Sequence, residues 1–336
     1  MKGALRRLYR ASPRARRFGR RFKNMAVTAV GRFGVWFGSL LTLEQALWLG
    51  ERLGVLLYHV LRTPRRLADE HLILVFGDGL SPAARARLAR ASFVNIARCL
   101  CELVKIDAIR GRADDYIEMV GVEYAYETLA QGRGLIAVTG HIGNWELLAA
   151  ACAWKGFSVA AVARRIYAKH LNDILVSFRA RQGVATIVRE NPHSARQILG
   201  ALKANTVLAM LIDQDTRVPS ISVPFFGRLA RTPVAAAALA IRRDIPAMAV
   251  FIQRRPQGGH RVTFHPPFVV ERSGDRRADV RALTRQFNAA LEEQIRKNPA
   301  EWVWWHRRWR RAPLSYLDPD HNLAYRSEDA VLRGRG

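Results

Sequence analysis

The sequence predicts an α/β fold: a mainly parallel central sheet covered by helices on both faces, with a helical, membrane-associating extension at the N-terminus. Three observations carry this. From residue 135 onward, short apolar runs of strand length alternate with segments of helical length. The runs are apolar throughout instead of alternating, as in strands buried on both faces. The region before residue 62 has a different character: a basic arm, an apolar stretch and then a helix.

Taken in order, residues 43–61 read as a helix, with Leu43, Leu47, Leu53, Leu56 and Leu57 forming an apolar stripe. Thr63-Pro64 ends it. A long helix is expected over 81–106, opened by Ser81 as N-cap and Pro82 at the first helical position. A shorter helix covers 121–131. Leu135 to Thr139, bounded by Gly134 and Gly140, is a buried strand. Further strands are expected at 158–163, 185–188, 206–212 and 245–253, with helices at 144–155, 170–181, 193–203 and 232–243 between them. Segments 261–265 and 268–270 read as antiparallel additions, and 277–297 as a closing helix. The organisation that follows is a basic arm (1–23), an apolar and amphipathic membrane-associating segment (24–61), a catalytic domain (62–312) and a tail (313–336).

The chain has 336 residues, 49% of them hydrophobic, enough for a large core and against a disordered chain. It carries 54 Lys and Arg against 28 Asp and Glu, a net charge of +26. Such a surplus draws polyanions: nucleic acid, anionic lipid or an acidic carrier protein. The first 23 residues hold ten Lys or Arg and no acid. The apolar stretch 24–43 is interrupted by Arg32 and followed by no small-residue cleavage site, which argues against a cleaved signal peptide. An interfacial or re-entrant anchor fits it; the alternative is a solvated basic tail before a core helix. Three cysteines, Cys99, Cys101 and Cys152, make no disulfide framework, and Cys-x-Cys without a second ligand pair is a poor zinc site. Neither metal nor cofactor is expected.

The residues that suggest chemistry are Gly140-His141-Ile142-Gly143-Asn144-Trp145-Glu146, at the hand-over from strand to helix. Asn144 is a good N-cap. A bend there lets His141 fold back over the helix start, towards Glu146. A neutral imidazole is the usual base for deprotonating an alcohol, and a carboxylate on its other nitrogen fixes the tautomer. That suits acyl transfer to a hydroxyl. A structurally satisfied histidine is the plainer alternative. No Gly-x-Ser-x-Gly elbow and no His-Glu-x-x-His motif points to a hydrolase or a zinc enzyme. A nucleic-acid-binding protein is the rival that the charge suggests, yet no helix-turn-helix, zinc-finger or RNA-binding signature accompanies it.

These residues, with others further along, resemble the lysophospholipid acyltransferase superfamily, and within it the bacterial late (lauroyl/myristoyl) acyltransferases of lipid A biosynthesis. Residues 140–146 match the superfamily's His-x4-Asp/Glu motif. Segment 71–80 is similar to an Asn-Leu…Phe-Pro segment, with His71 and Gly77 departing from it. Asp213-Gln214-Asp215 followed by Val223-Pro224-Phe225-Phe226-Gly227, and Trp302-Val303-Trp304-Trp305-His306-Arg307-Arg308, resemble two further signatures. The resemblance spans roughly residues 40–312. It implies transfer of a fatty acyl chain from acyl carrier protein, or another acyl thioester, to a hydroxyl of a lipid A-type glycolipid precursor. The place would be the cytoplasmic face of the inner membrane, against an anionic membrane surface, with no nucleic acid partner. An acceptor of the phosphatidylinositol mannoside type is the alternative within the class. His141 would be the base and Glu146 its partner. Asn144, Arg164, Arg179, Asp213, Asp215 and Thr232 would serve substrate binding, although loop capping by the two aspartates and a solvated helix charge at Arg179 are open alternatives. The four Trp and four Arg of 302–311 suit either a membrane interface or internal cation–π packing.

Overall fold

The computed structural model describes residues 34–311 except 167, 168 and 271. The basic arm, the first half of the apolar stretch 24–43 and the tail 313–336 lie outside these residues. Nine strands are described: β1 Ile117–Val120, β2 Leu135–Thr139, β3 Val159–Ala163, β4 Val184–Val188, β5 Val207–Leu211, β6 Ser220–Phe225, β7 Arg228–Pro233, β8 Ala247–Arg254 and β9 His260–Phe264. Seven form one sheet in the order β1-β9-β8-β2-β5-β3-β4; β6 and β7 make a separate antiparallel hairpin. Within the sheet every pairing is parallel except β8 with β9. The predicted mainly parallel sheet with helices on both faces is the one observed; most of the expected N-terminal extension lies outside the described residues.

The two-sided burial expected of the strands is visible in β2, where all five residues are buried. Ile136 and Val138 join one core cluster, with the helices Arg62–Phe76, Ala235–Arg243 and Arg276–Lys297. Leu135 and Ala137 join the other, under the helix Trp145–Trp154. Segment 268–270 is not a strand; Phe268 N donates to Ala247 O at 2.8 Å, so its backbone only caps the start of β8. The sequence reading missed β1, the β6–β7 hairpin and the helix Arg62–Phe76. Pro64 stands in the first turn of that helix, where a missing N–H removes no intrahelical bond, so it starts a helix here and ends none.

The helix Leu43–Val60 corrects the stripe read from its leucines. Its buried side is Leu43, Ala46, Gly50 and Gly54, whereas Leu53, Leu56 and Leu57 are exposed. The reason is close approach to the helix Pro82–Val104: a Cβ on Gly54 would lie 2.4 Å from Val94 Cα. Leucine does not fit such a contact, so the small residues turn inward and the large ones face out.

The stretch 302–311 resolves towards internal packing. Trp302, Trp304 and Arg308 are fully buried, and Trp309 is nearly so. The guanidinium of Arg308 lies 4.6 Å from the centre of the Phe225 ring. An antiparallel bridge joins Trp302 to Ile142, so the C-terminal segment reaches the loop after β2. Glu301, just before it, is buried, and one of its oxygens accepts from Arg254 N at 2.9 Å while the other lacks a partner. Burial pushes its carboxyl up to about 7 from 4.5, so the folded state binds this proton more tightly than the unfolded chain. Stability therefore falls as pH rises through the window 4.5 to about 7. Glu301→Gln should lose less stability than the native chain between about pH 5 and about pH 8, read by chemical denaturation at both. An unchanged pH dependence would contradict this.

Candidate active site

The register of β2 and β5 creates the site. Thr139 pairs with Leu211 at the last rung, and Ile212 N donates to Thr139 O at 3.2 Å. The two chains then leave the sheet side by side at their carboxyl ends, the edge where open α/β sheets bind ligands. His141 and Asp213 each lie two residues beyond that rung, facing one another. His141 N donates to Asp213 Oδ2 at 2.8 Å, and His141 Nδ1 lies 2.8 Å from Oδ1. Trp302 Nε1 donates to Oδ2 at 2.9 Å. Gly140 makes room, since a Cβ there would stand 3.1 Å from the Asp213 carboxyl carbon and 2.8 Å from Leu291.

Asp213 has no exposed surface. Burial alone would raise its pKa, but the charge interaction and hydrogen bond with His141, with His306 and the Trp302 N–H adding to them, outweigh it and hold the carboxyl well below the usual carboxylate range. An ionised carboxylate only accepts, so Nδ1 of His141 carries a hydrogen, and in the neutral ring Nε2 is the nitrogen with the free lone pair. The His141 side chain is 23% exposed, which gives a substrate access to it. Its ring meets Trp145 edge-on at 4.9 Å. Behind Asp213 stands His306, with Nε2 3.0 Å from the Asp213 carbonyl and Nδ1 2.6 Å from the Val303 carbonyl. Burial, against the pull of Asp213, lowers its pKa to about 4, whereas the two carbonyls facing its ring nitrogens are both satisfied only when each nitrogen carries a hydrogen.

The expected pairing of His141 with Glu146 is not formed. Glu146, in the first turn of the helix Trp145–Trp154, points to the other sheet face and meets Arg179, whose Nε and Nη2 donate to its two oxygens. The strand register gives Asp213 the shorter path to Nδ1. Glu146 and Arg179 instead form a largely buried ion pair in the wall of a small apolar pocket, partly open to solvent, with about 40 Å³ of internal space. Small residues of three strands, Ala137, Ala161 and Ala209, line it, with Leu148 above and Phe264 beyond. It extends along β5 from Leu211 to Val207, about 13 Å at the usual strand rise. Thr139 and Trp145 bring one end of it beside His141.

The other expected site residues are more dispersed. Asn144 is buried: its oxygen caps the helix at Leu147 N, 3.1 Å away, and its nitrogen donates to Glu102. Thr232 is fully buried, accepting from Arg308 at 2.8 Å. Asp215 is held by Arg311 through Nε at 3.0 Å to both oxygens. Arg164 stands at the exit of β3, half exposed and 4.0 Å from Glu190. Arg165 and Arg189 share that edge. Trp302 and His306 received no role from the sequence, although both stood in a quoted signature. Their link to Asp213 depends on the C-terminal segment folding back over the sheet. Among the described residues, no group of three or more His, Cys, Asp or Glu is arranged to hold a metal ion.

Comparison with known proteins identifies the family. The profile of the family described as bacterial lipid A biosynthesis acyltransferase matches residues 19–311. A phosphatidylinositol mannoside acyltransferase of Mycolicibacterium smegmatis is 26% identical over 219 residues, covering 64% of this chain and 70% of that protein. A counterpart of the same description in Mycobacterium tuberculosis (strain H37Rv) is 24% identical, covering 54% of this chain and 56% of that one. A lipid A biosynthesis palmitoleoyltransferase of Escherichia coli K12 is 22% identical over 288 residues, covering 83% and 90%. With a profile match over residues 19–311, this protein belongs to the bacterial lipid A biosynthesis acyltransferase family and is an acyltransferase.

Proposed function

We propose that the protein transfers a fatty acyl chain from a thioester, carried by acyl carrier protein, to a hydroxyl of a lipid A-type glycolipid precursor, with His141 as general base. The observation that carries this reading is the 2.8 Å contact between His141 Nδ1 and the buried Asp213 carboxylate. Nε2 takes the hydroxyl proton as the oxygen attacks the thioester carbonyl. Asp213 stabilises the imidazolium that forms. When the tetrahedral intermediate collapses, the C–S bond breaks and His141 returns the proton to the leaving sulfur. The apolar cavity takes the acyl chain, with Glu146 and Arg179 as its one polar wall. No protein nucleophile is needed. Burial pushes the Cys152 thiol up to about 12 and raises Cys99 and Cys101 as well, so none of the three is a thiolate at neutral pH.

The strand-end edge carries Arg164, Arg165 and Arg189, and the chain as a whole has a charge of +26. That charge suits an acidic carrier, a phosphorylated acceptor and an anionic membrane surface, here the cytoplasmic face of the inner membrane. Among the described residues no helix is long and apolar enough to cross a membrane. The exposed Trp48, Leu53, Leu56, Leu57 and Val60 of the helix Leu43–Val60 suit a helix lying in the interface. A second acceptor, of the phosphatidylinositol mannoside type, is favoured by the 26% identity to the mycolicibacterial enzyme. Mass spectrometry of total glycolipids with and without the protein separates the two: the acceptor that loses one acyl chain is the substrate.

His141→Ala should lower turnover by about 10²–10⁴-fold while the chain still folds. Near-native turnover would remove His141 from the mechanism. Asp213→Asn should also be poor, and the two carboxylates are told apart by the downfield Nδ1–H proton of His141. That resonance should vanish in Asp213→Asn and persist in Glu146→Gln; the reverse result would reinstate Glu146 as the partner.

Ala209 faces the cavity from the middle of β5. Ala209→Phe should cut transfer of long acyl chains more than of short ones. Equal losses across a donor series would place the chain elsewhere. At the membrane, Trp48→Glu with Leu56→Glu should weaken co-sedimentation with anionic vesicles and leave the melting temperature near native. Unchanged co-sedimentation would move the anchor off this helix.

A further inference from the structure

Among the polar side chains that the helix Pro82–Val104 buries and the proposed chemistry does not use are Asn95, Cys99 and Glu102. Their spacing of four and three residues sets them on one face. That face meets the backbone just after His141. Asn95 Nδ2 donates to Glu301 O at 3.4 Å, and the same carbonyl accepts from Gly143 N at 3.0 Å. Cys99 Sγ donates to Gly143 O at 3.5 Å. Glu102 Oε2 accepts from Asn144 Nδ2 at 2.9 Å. Gly143 itself cannot retreat: its φ is +60°, and a Cβ there would lie 2.3 Å from Ile252 O.

Glu102 has no exposed surface and is surrounded by donors. Tyr116 Oη reaches it at 2.9 Å, His260 Nε2 at 2.8 Å and Arg254 Nη2 at 3.2 Å, in addition to Asn144. Its oxygens only accept, so the Asn144 amide must turn its nitrogen towards Glu102 and its oxygen towards the helix, where it caps Leu147 N. A buried ion pair of this kind adds little net stability over an apolar replacement. What it does supply is one fixed orientation for Asn144, three residues from the catalytic base.

We infer that this polar face is the positioning element of the active-site loop, and that Glu102 acts on the reaction through Asn144 by holding residues 143–144 so that His141 stays aligned between Asp213 and the acceptor hydroxyl. The inference rests on the reading of His141 as the base. Glu102 and Asn144 are positioning residues, since neither reaches the cavity beside His141.

The test is a cycle of Asn144→Ser, Glu102→Gln and the double variant, in the full chain, read as kcat and KM for the acyl thioester. Serine keeps a helix-capping oxygen and deletes the donor to Glu102. Asn144→Ser should lower kcat about tenfold and leave KM within about twofold, because misaligned groups lose rate and not binding. Glu102→Gln should do the same, and the double variant should be no worse than the poorer single one. Native kcat in a folded Asn144→Ser protein, or losses that multiply in the double variant, would overturn the inference. If Glu102→Gln fails to fold, Asn144→Ser decides alone. A fully active His141→Ala variant would instead remove the underlying reading, whatever the cycle shows.

Discussion

Everything at the active edge is organised around one buried negative charge. The Asp213 carboxylate has lost its water, a cost of several kcal/mol for an ion without partners. It is offset by donors from two distant parts of the chain: the backbone and ring of His141, and the indole of Trp302. Remove one donor and the charge becomes expensive; keep both and the imidazole has one tautomer and one orientation. The requirement to satisfy Asp213 therefore draws the strand-end loop and the C-terminal segment into contact, and the same requirement holds the His141 ring in place.

The two faces of the sheet divide the remaining work. On one face the C-terminal aromatic residues and the helix Arg276–Lys297 pack into one buried cluster, and Trp302 from it donates to Asp213. On the other, alanines in β2, β3 and β5 leave a channel that larger residues would have closed. Since side chains alternate along a strand, a single strand contributes to both: Ile136 and Val138 of β2 to the filled face, Ala137 and Thr139 to the hollow one. Packing and substrate space come from one alternating pattern.

Most strands and helices from 135 to 297, the β6–β7 hairpin and segment 268–270 apart, were legible because each is local: a continuous apolar run, a cap, a glycine. His141 was legible for the same reason, from its glycine-flanked place between strand and helix. The partner of His141 was not. Sequence distance favoured Glu146, whereas the decision belongs to strand order, which brings β5 beside β2 and has no local signature. The helix Leu43–Val60 failed in a related way. Its leucines outnumber its glycines, and a composition-weighted stripe follows the leucines, yet the inward face is set by how closely a second helix approaches. Asn95, Cys99 and Glu102 carry no sign in the sequence that they converge on one loop.

The bridge between Ile142 and Trp302 spans most of the domain in sequence. Synthesis from the N-terminus makes His141 and Asp213 available before Trp302. Until then the carboxylate lacks its indole donor, and the loop lacks the Glu301 carbonyl that holds Gly143. The final segment thus works as a lock fitted last. A chain that ends before Trp302 contains His141 and Asp213 but neither the indole donor nor the Glu301 carbonyl.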